Sequence, residues 1–134
     1  MRVHVCRHAE AESEGPDATR PLTVRGLAQA LALGDALATD NEPPTTVLAS
    51  PLLRARQTAE AIADRLGAPL LIDSRLAPGC TVASLREALM GLTGPVVAIA
   101  HQPDCSDILY ALTGADPGFP VAGHVEVAID EDDA

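Results

Sequence analysis

The sequence predicts an α/β fold, a three-layer sandwich with a mostly parallel central sheet flanked by helices. Short apolar runs alternate along the chain with segments of helical periodicity, which is the pattern of βαβ units. One run, Val96–Ala100, is continuously apolar, as is typical of a central parallel strand covered on both faces. The 134 residues correspond to one domain, residues 1–134, because domains average roughly 100–200 residues.

The N-terminal segments predict a strand, a loop and a helix, in that order. Residues 2–6 alternate polar and apolar side chains, which indicates a half-buried strand. Residues 9–21 are polar and predict a loop. Residues 23–40 repeat apolar side chains at helical spacing, and the prolines within residues 41–45 end this helix.

The next segments predict a second strand and a second helix. Residues 47–49 are apolar and form a short buried strand. Ser50 and Pro51 favour a helix start, with serine as the N-cap and proline at the first helical position. Apolar side chains continue at helical spacing up to Gly67, which ends the helix.

The C-terminal half repeats this alternation around the apolar run described above. Residues 70–72 predict a third strand, and residues 83–92 predict a third helix. A fourth helix covers residues 103–112, and residues 125–129 alternate as a last strand. The acidic end, residues 130–134, predicts a solvated and disordered tail because like charges repel one another.

The composition excludes several classes of partner. The chain carries 19 acidic and nine basic residues, a net charge of −10, and all nine basic residues are arginines. A basic face for nucleic acid or for an anionic membrane is therefore not expected. The two aromatic residues, Tyr110 and Phe119, are too few for a base-stacking platform. No apolar run approaches the roughly 20 residues of a membrane span, and the N-terminus does not resemble a signal peptide, so a cytoplasmic location is expected.

The cysteines argue against a covalent scaffold and against a cysteine-bound metal. Cys6, Cys80 and Cys105 cannot all pair with one another, and none belongs to a Cys-x-x-Cys motif. The sequence also has no cluster of carboxylates at metal-ligand spacing. We therefore expect neither a metal nor another cofactor.

Polar side chains follow three of the predicted strands. Arg7 and His8 follow the first strand, Ser50 follows the second, and His101 with Gln102 follows the fourth. The carboxyl ends of parallel strands meet at one edge of a sheet, where α/β proteins bind their ligands. These side chains are therefore expected to converge.

Two arginines add to this set. Arg54 lies one turn into the helix that follows Ser50, and Arg20 lies in the loop after the first strand. Guanidinium groups remain charged and bind phosphate oxygens in a bidentate way, and a helix start adds free backbone N–H groups. A neutral histidine can act as a nucleophile. The set predicts phosphoryl transfer through a phosphohistidine, and the candidate substrate-binding residues are Arg20, Gln102 and Ser50.

Four segments resemble, in the right order, those of the histidine phosphatase superfamily, the phosphoglycerate mutase-like proteins. Residues 7–9, RHA, resemble its Arg-His-Gly signature, and residues 48–59, LASPLLRARQTA, resemble its second signature. Residues 99–103, IAHQP, resemble the segment that holds its second histidine. Residues 20–26, RPLTVRG, are similar to the matching segment of its short SixA-like phosphohistidine phosphatases.

The resemblance implies a phosphoglycerate mutase-like fold and assigns roles to the candidate residues. It implies that His8 is the nucleophile that becomes phosphorylated. Arg7, Arg54 and His101 are implied to hold the phosphoryl oxygens and to stabilise the transition state. Arg20 is implied as an additional phosphate ligand, as in the SixA-like members.

The chain departs from the family pattern in two places. Ala9 stands where the family has glycine, which permits backbone conformations that alanine resists, so an altered turn with retained activity is expected. The larger members place a glutamate proton donor after the third strand, where residues 74–79 contain no acid. The acidic residues that remain as weak candidates are Asp73, Glu10, Glu12 and Asp17.

The missing acid bears on the substrate. An alkoxide leaving group benefits from a general acid, whereas the imidazole of a phosphohistidine is easily protonated near neutral pH. The short chain also leaves little room for a lid. These points favour a protein phosphohistidine as the substrate. The alternatives are a small phosphomonoester as the substrate, or a phosphate-binding or regulatory relative with weakened catalysis.

Two cysteine chemistries are alternatives to the histidine mechanism. Cys80 and Arg86 have the Cys-x5-Arg spacing of cysteine-based phosphatases, which need a phosphate-wrapping loop and a thiolate. The five intervening residues lack glycine and continue into a predicted helix. A dyad of Cys105 and His101 has no evident orienting partner. Both chemistries are therefore disfavoured.

Overall fold

The computed structural model describes residues 1–130 as a five-stranded sheet covered by helices on both faces, which confirms the predicted three-layer α/β architecture. The strands are β1 (Arg2–Arg7), β2 (Thr46–Ala49), β3 (Leu70–Ile72), β4 (Val96–Ala100) and β5 (His124–Ala128). The α-helices are α1 (Val24–Ala38), α2 (Leu53–Leu66), α3 (Val82–Leu89) and α4 (Asp104–Thr113), with short 3-10 helices at Asp17–Thr19 and Ser74–Leu76. Of the predicted acidic tail, residues 131–134 lie outside the described residues.

The sheet has the strand order β3-β2-β4-β1-β5. Strand β4 is parallel to both of its neighbours, β1 and β2, and β3 is parallel to β2, whereas β5 runs antiparallel to β1. Every residue of β4 is buried, as its continuous apolar run predicts. The sheet is therefore parallel at its centre and antiparallel at the β5 edge.

Small and branched aliphatic side chains form the two layers of the core. On one face, Val3 and Val5 of β1 belong to a cluster with α3 and α4. On the other face, Cys6 of β1 and Val97 of β4 belong to a cluster with α1 and α2. Successive residues of β1 thus pack into opposite layers, as strand geometry requires.

The predicted start of α2 is wrong. The helix begins at Leu53, and Leu52 rather than Ser50 holds the N-cap position, without a side-chain hydrogen bond. Ser50 instead continues the sheet, because its N–H donates to the Ile99 carbonyl at 3.1 Å. The hydroxyl of Ser50 lies beside His101. Tertiary pairing with β4 thus overrides the local capping preference.

Other boundaries differ by one to three residues. Strand β1 extends to Arg7, and β5 covers His124–Ala128 rather than residues 125–129. Helix α3 begins one residue early, at Val82, because Thr81 and Ser84 form a capping box. It ends at Leu89, before Gly91, which has a positive φ. Within residues 1–130, no helix is long and apolar enough to cross a membrane.

Helix α1 packs directly against the chain that follows β1. A Cβ placed on Gly26 would lie 2.0 Å from the main-chain oxygen of Glu10, so only glycine fits at this approach. Gly34, eight residues further along α1, is less constrained. A Cβ placed on Gly34 would lie 3.2 Å from Arg65 Cβ and 3.3 Å from Ile62 Cα. Gly26 therefore determines how closely α1 approaches the segment after His8.

Gly26→Ala is expected to lower the free energy of unfolding by about 2–3 kcal/mol, because overpacking against fixed backbone outweighs the better helix propensity of alanine. Gly34→Ala is the matched control and is expected to change stability by less than about 1 kcal/mol. Urea unfolding of both variants measures the difference. Equal stabilities of the two variants would contradict the close approach at Gly26.

Candidate active site

Parallel pairing brings the three predicted strand ends to one edge of the sheet. The His8 N–H donates to the Ala100 carbonyl at 3.2 Å, and the Ser50 N–H donates to the Ile99 carbonyl at 3.1 Å. His8 and Ser50 therefore flank His101, which directly follows β4. The structure brings together residues that are up to 93 positions apart in the sequence.

His8 is a buried, neutral imidazole with one nitrogen held by the backbone. Its side chain is largely enclosed, with 8% of the residue exposed, and its Nδ1 lies 2.7 Å from the Ala9 carbonyl oxygen. A carbonyl only accepts hydrogen bonds, so Nδ1 carries the proton and the lone pair is on Nε2. Burial, with the positive charges of Arg54 and Arg7, lowers the pKa of His8 to about 4.

His101 lies against His8 and is also neutral. The two ring centroids are 5.3 Å apart, and His101 Nε2 lies 2.7 Å from the Ser50 hydroxyl oxygen. Burial, with His8 and Arg54 nearby, lowers the pKa of His101 to about 4. The Ser50 hydroxyl therefore orients the second histidine, and it also accepts a hydrogen bond from the Leu52 N–H at 3.3 Å, just before α2.

Main-chain carbonyls hold the three arginines of the site. Arg54, of which 6% is exposed, donates from Nη1 to the Asp17 main-chain oxygen at 2.7 Å. Arg20 donates in the same way to the Glu12 carbonyl at 2.8 Å, and Arg7 donates to the Phe119 carbonyl at 3.0 Å. A neutral carbonyl fixes a guanidinium without cancelling its charge, so the site retains positive potential.

Several buried nitrogens at this edge lack a hydrogen-bond partner among residues 1–130. They are Nε of Arg7, Nε of Arg54 and Nδ1 of His101. Buried polar atoms are nearly always satisfied in folded proteins, so such atoms call for a ligand or water. An oxyanion with several acceptor oxygens would satisfy them.

Asp17 lies across the arginines as their anionic partner. Its carboxylate lies 3.0 Å from Arg20 Nη2 and 3.4 Å from Arg54 Nη2. The hydrogen bond from Arg20, with the charge of Arg54, holds the pKa of Asp17 below its usual range. Asp17 is therefore an ionised carboxylate at neutral pH and a poor proton donor.

Two of the other acidic candidates, Asp73 and Glu10, are engaged elsewhere. Asp73 accepts a hydrogen bond from the Arg75 N–H and pairs with the Arg75 guanidinium at 2.7 Å. Glu10 accepts from the Thr23 hydroxyl at 2.9 Å. The Glu12 contact to Arg20 uses the main-chain oxygen.

Ala9 occupies the glycine position of the signature without an unusual backbone. Its φ is not positive, and its methyl group is fully buried in a small cluster with Ala30 and Ala61. Its N–H donates to the Thr58 hydroxyl at 3.0 Å, and that hydroxyl donates to the Arg54 carbonyl at 2.8 Å. Alanine is thus accommodated at this position without backbone strain, and Thr58 links the segment after His8 to the turn of α2 that carries Arg54.

Gln102 lies beside the site, but its amide is used by its own helix. Its Oε1 accepts from the Ser106 N–H at 3.0 Å, and its Nε2 donates to the Ser106 hydroxyl at 2.8 Å. These bonds cap the start of α4, where Pro103 provides no side-chain cap. A substrate-binding role for Gln102 would require exchange of these bonds.

The segment 119–123 supports the site and was missed by sequence reasoning. Besides the Phe119 contact to Arg7, its Ala122 N–H donates to the His8 carbonyl at 3.0 Å, and its Gly123 carbonyl accepts from the Arg7 N–H at 2.9 Å. Ala122 has a φ of 58°, in the left-handed region that is costly for alanine. Segment 119–123 contributes only main-chain atoms to these bonds, and its residue types therefore do not reveal them.

The geometry also disfavours both cysteine chemistries. Burial raises the pKa of Cys80, and the residues after it enter α3, so no loop wraps a phosphate. The N–H groups of Gly79 and Cys80 already donate to the Asp104 carboxylate. Burial raises the pKa of Cys105 to about 12, and its thiol donates to the Cys6 carbonyl.

A parallel sheet with helices on both faces, and with two histidines and three arginines at its strand ends, is typical of a histidine-type phosphatase. A family model for the histidine phosphatase superfamily (branch 1) matches residues 3–78, and the chain belongs to this family. Within the family it is of the SixA type. The phosphohistidine phosphatase SixA of Escherichia coli (strain K12) is 30% identical over 140 residues, with 98% of this chain and 87% of that protein covered.

Solved structures agree with this assignment. The structure of the protein histidine phosphatase SixA complexed with tungstate matches with a TM-score of 0.88 at 29% identity, covering 98% of this chain and 90% of that one. A mycobacterial glucosyl-3-phosphoglycerate phosphatase complexed with VO₃ matches with a TM-score of 0.75 at 18% identity, covering 95% and 90%. The latter similarity shows the shared fold alone.

The two site histidines are expected to remain neutral across the physiological pH range. Because burial and the arginines disfavour the imidazolium, His8 and His101 should each titrate with a pKa of about 4. Long-range ¹H–¹⁵N NMR should show His8 as the Nδ1–H tautomer at pH 7, and phosphate dianion should raise both pKa values. An imidazolium, or an Nε2–H tautomer of His8, in the ligand-free protein at pH 6 would contradict this electrostatic interpretation.

Proposed function

We propose that this chain is a metal-independent phosphohistidine phosphatase that acts through a covalent phosphohistidine on His8. The observation that carries the proposal is the neutral His8, with a lone pair on Nε2, under the positive charges of Arg54, Arg7 and Arg20. The family membership supports the same class of reaction. The name of the Escherichia coli relative supports phosphohistidine as the substrate.

In the first step His8 Nε2 attacks phosphorus, and an N–P bond forms as the bond to the leaving group breaks. Arg7, Arg54 and Arg20 neutralise the charge of the transferring phosphoryl oxygens, which is the main requirement of phosphoryl transfer. His8 becomes positively charged on attack and retains its bond to the Ala9 carbonyl. His101 Nδ1 is available to contact a phosphoryl oxygen.

In the second step water attacks the phosphohistidine. The N–P bond of His8 breaks, inorganic phosphate leaves and His8 returns to the neutral form. Both steps depend mainly on preorganised positive charge at the phosphoryl oxygens. No step requires a metal ion, because the arginines provide the charge that a metal would otherwise supply.

The acidic residues around the site favour a phosphoramidate substrate. Asp17 is ionised, and Asp73 and Glu10 are bonded elsewhere, so none of these three carboxyl groups is positioned to protonate an alkoxide. A substrate imidazole accepts a proton from solvent near neutral pH. Asp17 and its neighbours are exposed, which suits access by a side chain that another protein presents.

We also propose a cytoplasmic location for this activity. Cys6, Cys80 and Cys105 are all buried and free, as is usual for proteins of reducing compartments.

His8→Ala is expected to lower kcat for a phosphohistidine protein by at least about 10⁴-fold, because the variant lacks the nucleophile. Cys80→Ser is the matched control and is expected to keep kcat/KM within about twofold, since its thiol is buried and protonated. Wild type should form an acid-labile, alkali-stable phosphoenzyme with a phosphodonor, whereas His8→Ala should not.

The same assay should include a panel of small phosphoesters and a chelator. Faster turnover of a small phosphoester than of the phosphohistidine protein, with the same His8 dependence, would reassign the substrate and keep the mechanism. Activity in His8→Ala with loss in Cys80→Ser would overturn the mechanism. Loss of activity on chelation, restored by metal and occurring while the protein remains folded, would overturn metal independence of the reaction.

Asp17→Asn is expected to tighten inhibition by inorganic phosphate by about threefold, because a charge opposing the anion is removed near the surface. Arg54 and Arg20 keep their main-chain anchors, so kcat should change by less than about threefold. Glu14→Gln, which removes one charge from the same loop, is the control. A fall in kcat of more than about 100-fold would instead identify Asp17 as the general acid.

A further inference from the structure

A second polar cluster lies on β1, towards the opposite end of the strand from His8. His4 of β1 is the register partner of Glu126 on β5. Asp40, two residues after the end of α1, approaches the same point. One ligand-type atom of each of these three residues lies within 4.8 Å of the others. We call these three residues the β1–β5 cluster.

His4 is buried, and its ring nitrogens are not hydrogen-bonded to any described residue. Only 2% of the residue is exposed, and both ring nitrogens lack a hydrogen-bond partner among residues 1–130. Leaving buried polar atoms unpaired is unfavourable for folding. Nε2 nevertheless lies 3.4 Å from Glu126 Oε2, so the ring is directed into the cluster.

The spacing of these atoms suits a small divalent cation. With metal–ligand distances of about 2.1 Å, neighbouring donors of a tetrahedral site lie about 3.4 Å apart. The separation of His4 Nε2 and Glu126 Oε2 is already 3.4 Å. Asp40 is partly exposed, and one of its carboxylate oxygens lies within 4.8 Å of the ligand atoms of the other two residues, while its Oδ1 accepts from the Glu42 N–H at 3.0 Å.

The charge of the surroundings also favours a divalent cation. Arg2 Nη2 contacts Glu126 at 2.6 Å and Asp40 at 3.6 Å, and Arg2 Nη1 contacts Glu42 at 3.5 Å. Three carboxylates therefore surround one guanidinium, which leaves two negative charges unbalanced. Arg2 can remain paired with the exposed Glu42 when a cation takes the other two carboxylates.

We propose that His4, Asp40 and Glu126 bind a first-row divalent transition-metal ion of the zinc class, with water completing the coordination. One imidazole with two carboxylates favours Zn²⁺ over Mg²⁺ or Ca²⁺, which prefer oxygen ligands alone. The ion would tie β5 and the end of α1 to β1. His8 lies four residues further along the chain, roughly 13 Å away at strand spacing, so the ion supports the fold and takes no part in phosphoryl transfer.

Zn²⁺ titrated calorimetrically into chelator-treated protein tests the proposal. We expect one equivalent to bind with Kd of about 1 μM or tighter, and Tm to rise by roughly 5–10 °C at a hundredfold excess over Kd. Mg²⁺ at the same concentration should not bind. Glu126→Gln, an exposed substitution that should fold, and His4→Gln should each weaken Zn²⁺ binding at least tenfold.

Three controls separate this site from other sources of binding. Glu60→Gln, an exposed acidic change on α2, should leave Zn²⁺ affinity unchanged. A His8→Gln/His101→Gln variant should still bind Zn²⁺, and the spectrum of the Co²⁺ complex should lack a thiolate charge-transfer band. Binding that survives Glu126→Gln but is lost in the double variant would overturn the proposal, as would absence of binding at millimolar Zn²⁺. The test does not depend on phosphatase activity.

Discussion

Parallel pairing of β4 between β1 and β2 is the constraint on which the site depends. Strand β4 is apolar along its whole length and buried on both faces, so a central place in the sheet is the one that removes it from water. The backbone bonds continue past the strands, from His8 and Ser50 to the carbonyls of β4. His8, Ser50 and His101 are therefore adjacent because their strands are adjacent, and the loops and helices carry the arginines to them.

The electrostatics of the site follow from how its arginines are anchored. Arg7, Arg20 and Arg54 each donate to a main-chain carbonyl, so their orientation is fixed while their charge remains available to an anion. The same charges act together with burial to keep His8 unprotonated. A single arrangement thus provides both a neutral histidine and a cationic pocket. The net charge of −10 describes the outer surface and not this pocket.

Strand β1 contributes to two polar clusters with different character. At its carboxyl end, positive side chains surround the neutral His8. Further back, carboxylates surround the buried His4. The two histidines are four residues apart, and the strand separates them along its length. The cluster around His8 has an excess of arginines, which suits a phosphoryl group. The cluster around His4 has an excess of carboxylates, which suits a cation.

Periodicity and ordered motifs predict the layer architecture, the order of strands and helices, and the residues that we propose for the phosphate site. Periodicity and the ordered motifs around His8, Arg54 and His101 are local in the sequence, so they could be recognised without a structure. The start of α2 does not follow from local sequence, because Ser50 favours a helix cap locally but is held in the sheet by its hydrogen bond to β4. The folded structure is needed to find contacts made through main-chain atoms, such as those of segment 119–123, since these leave no mark on residue type. It also decided the meeting of His4, Asp40 and Glu126, because β5 pairs with β1 and α1 ends beside them, and residues so far apart in the chain have no spacing to recognise.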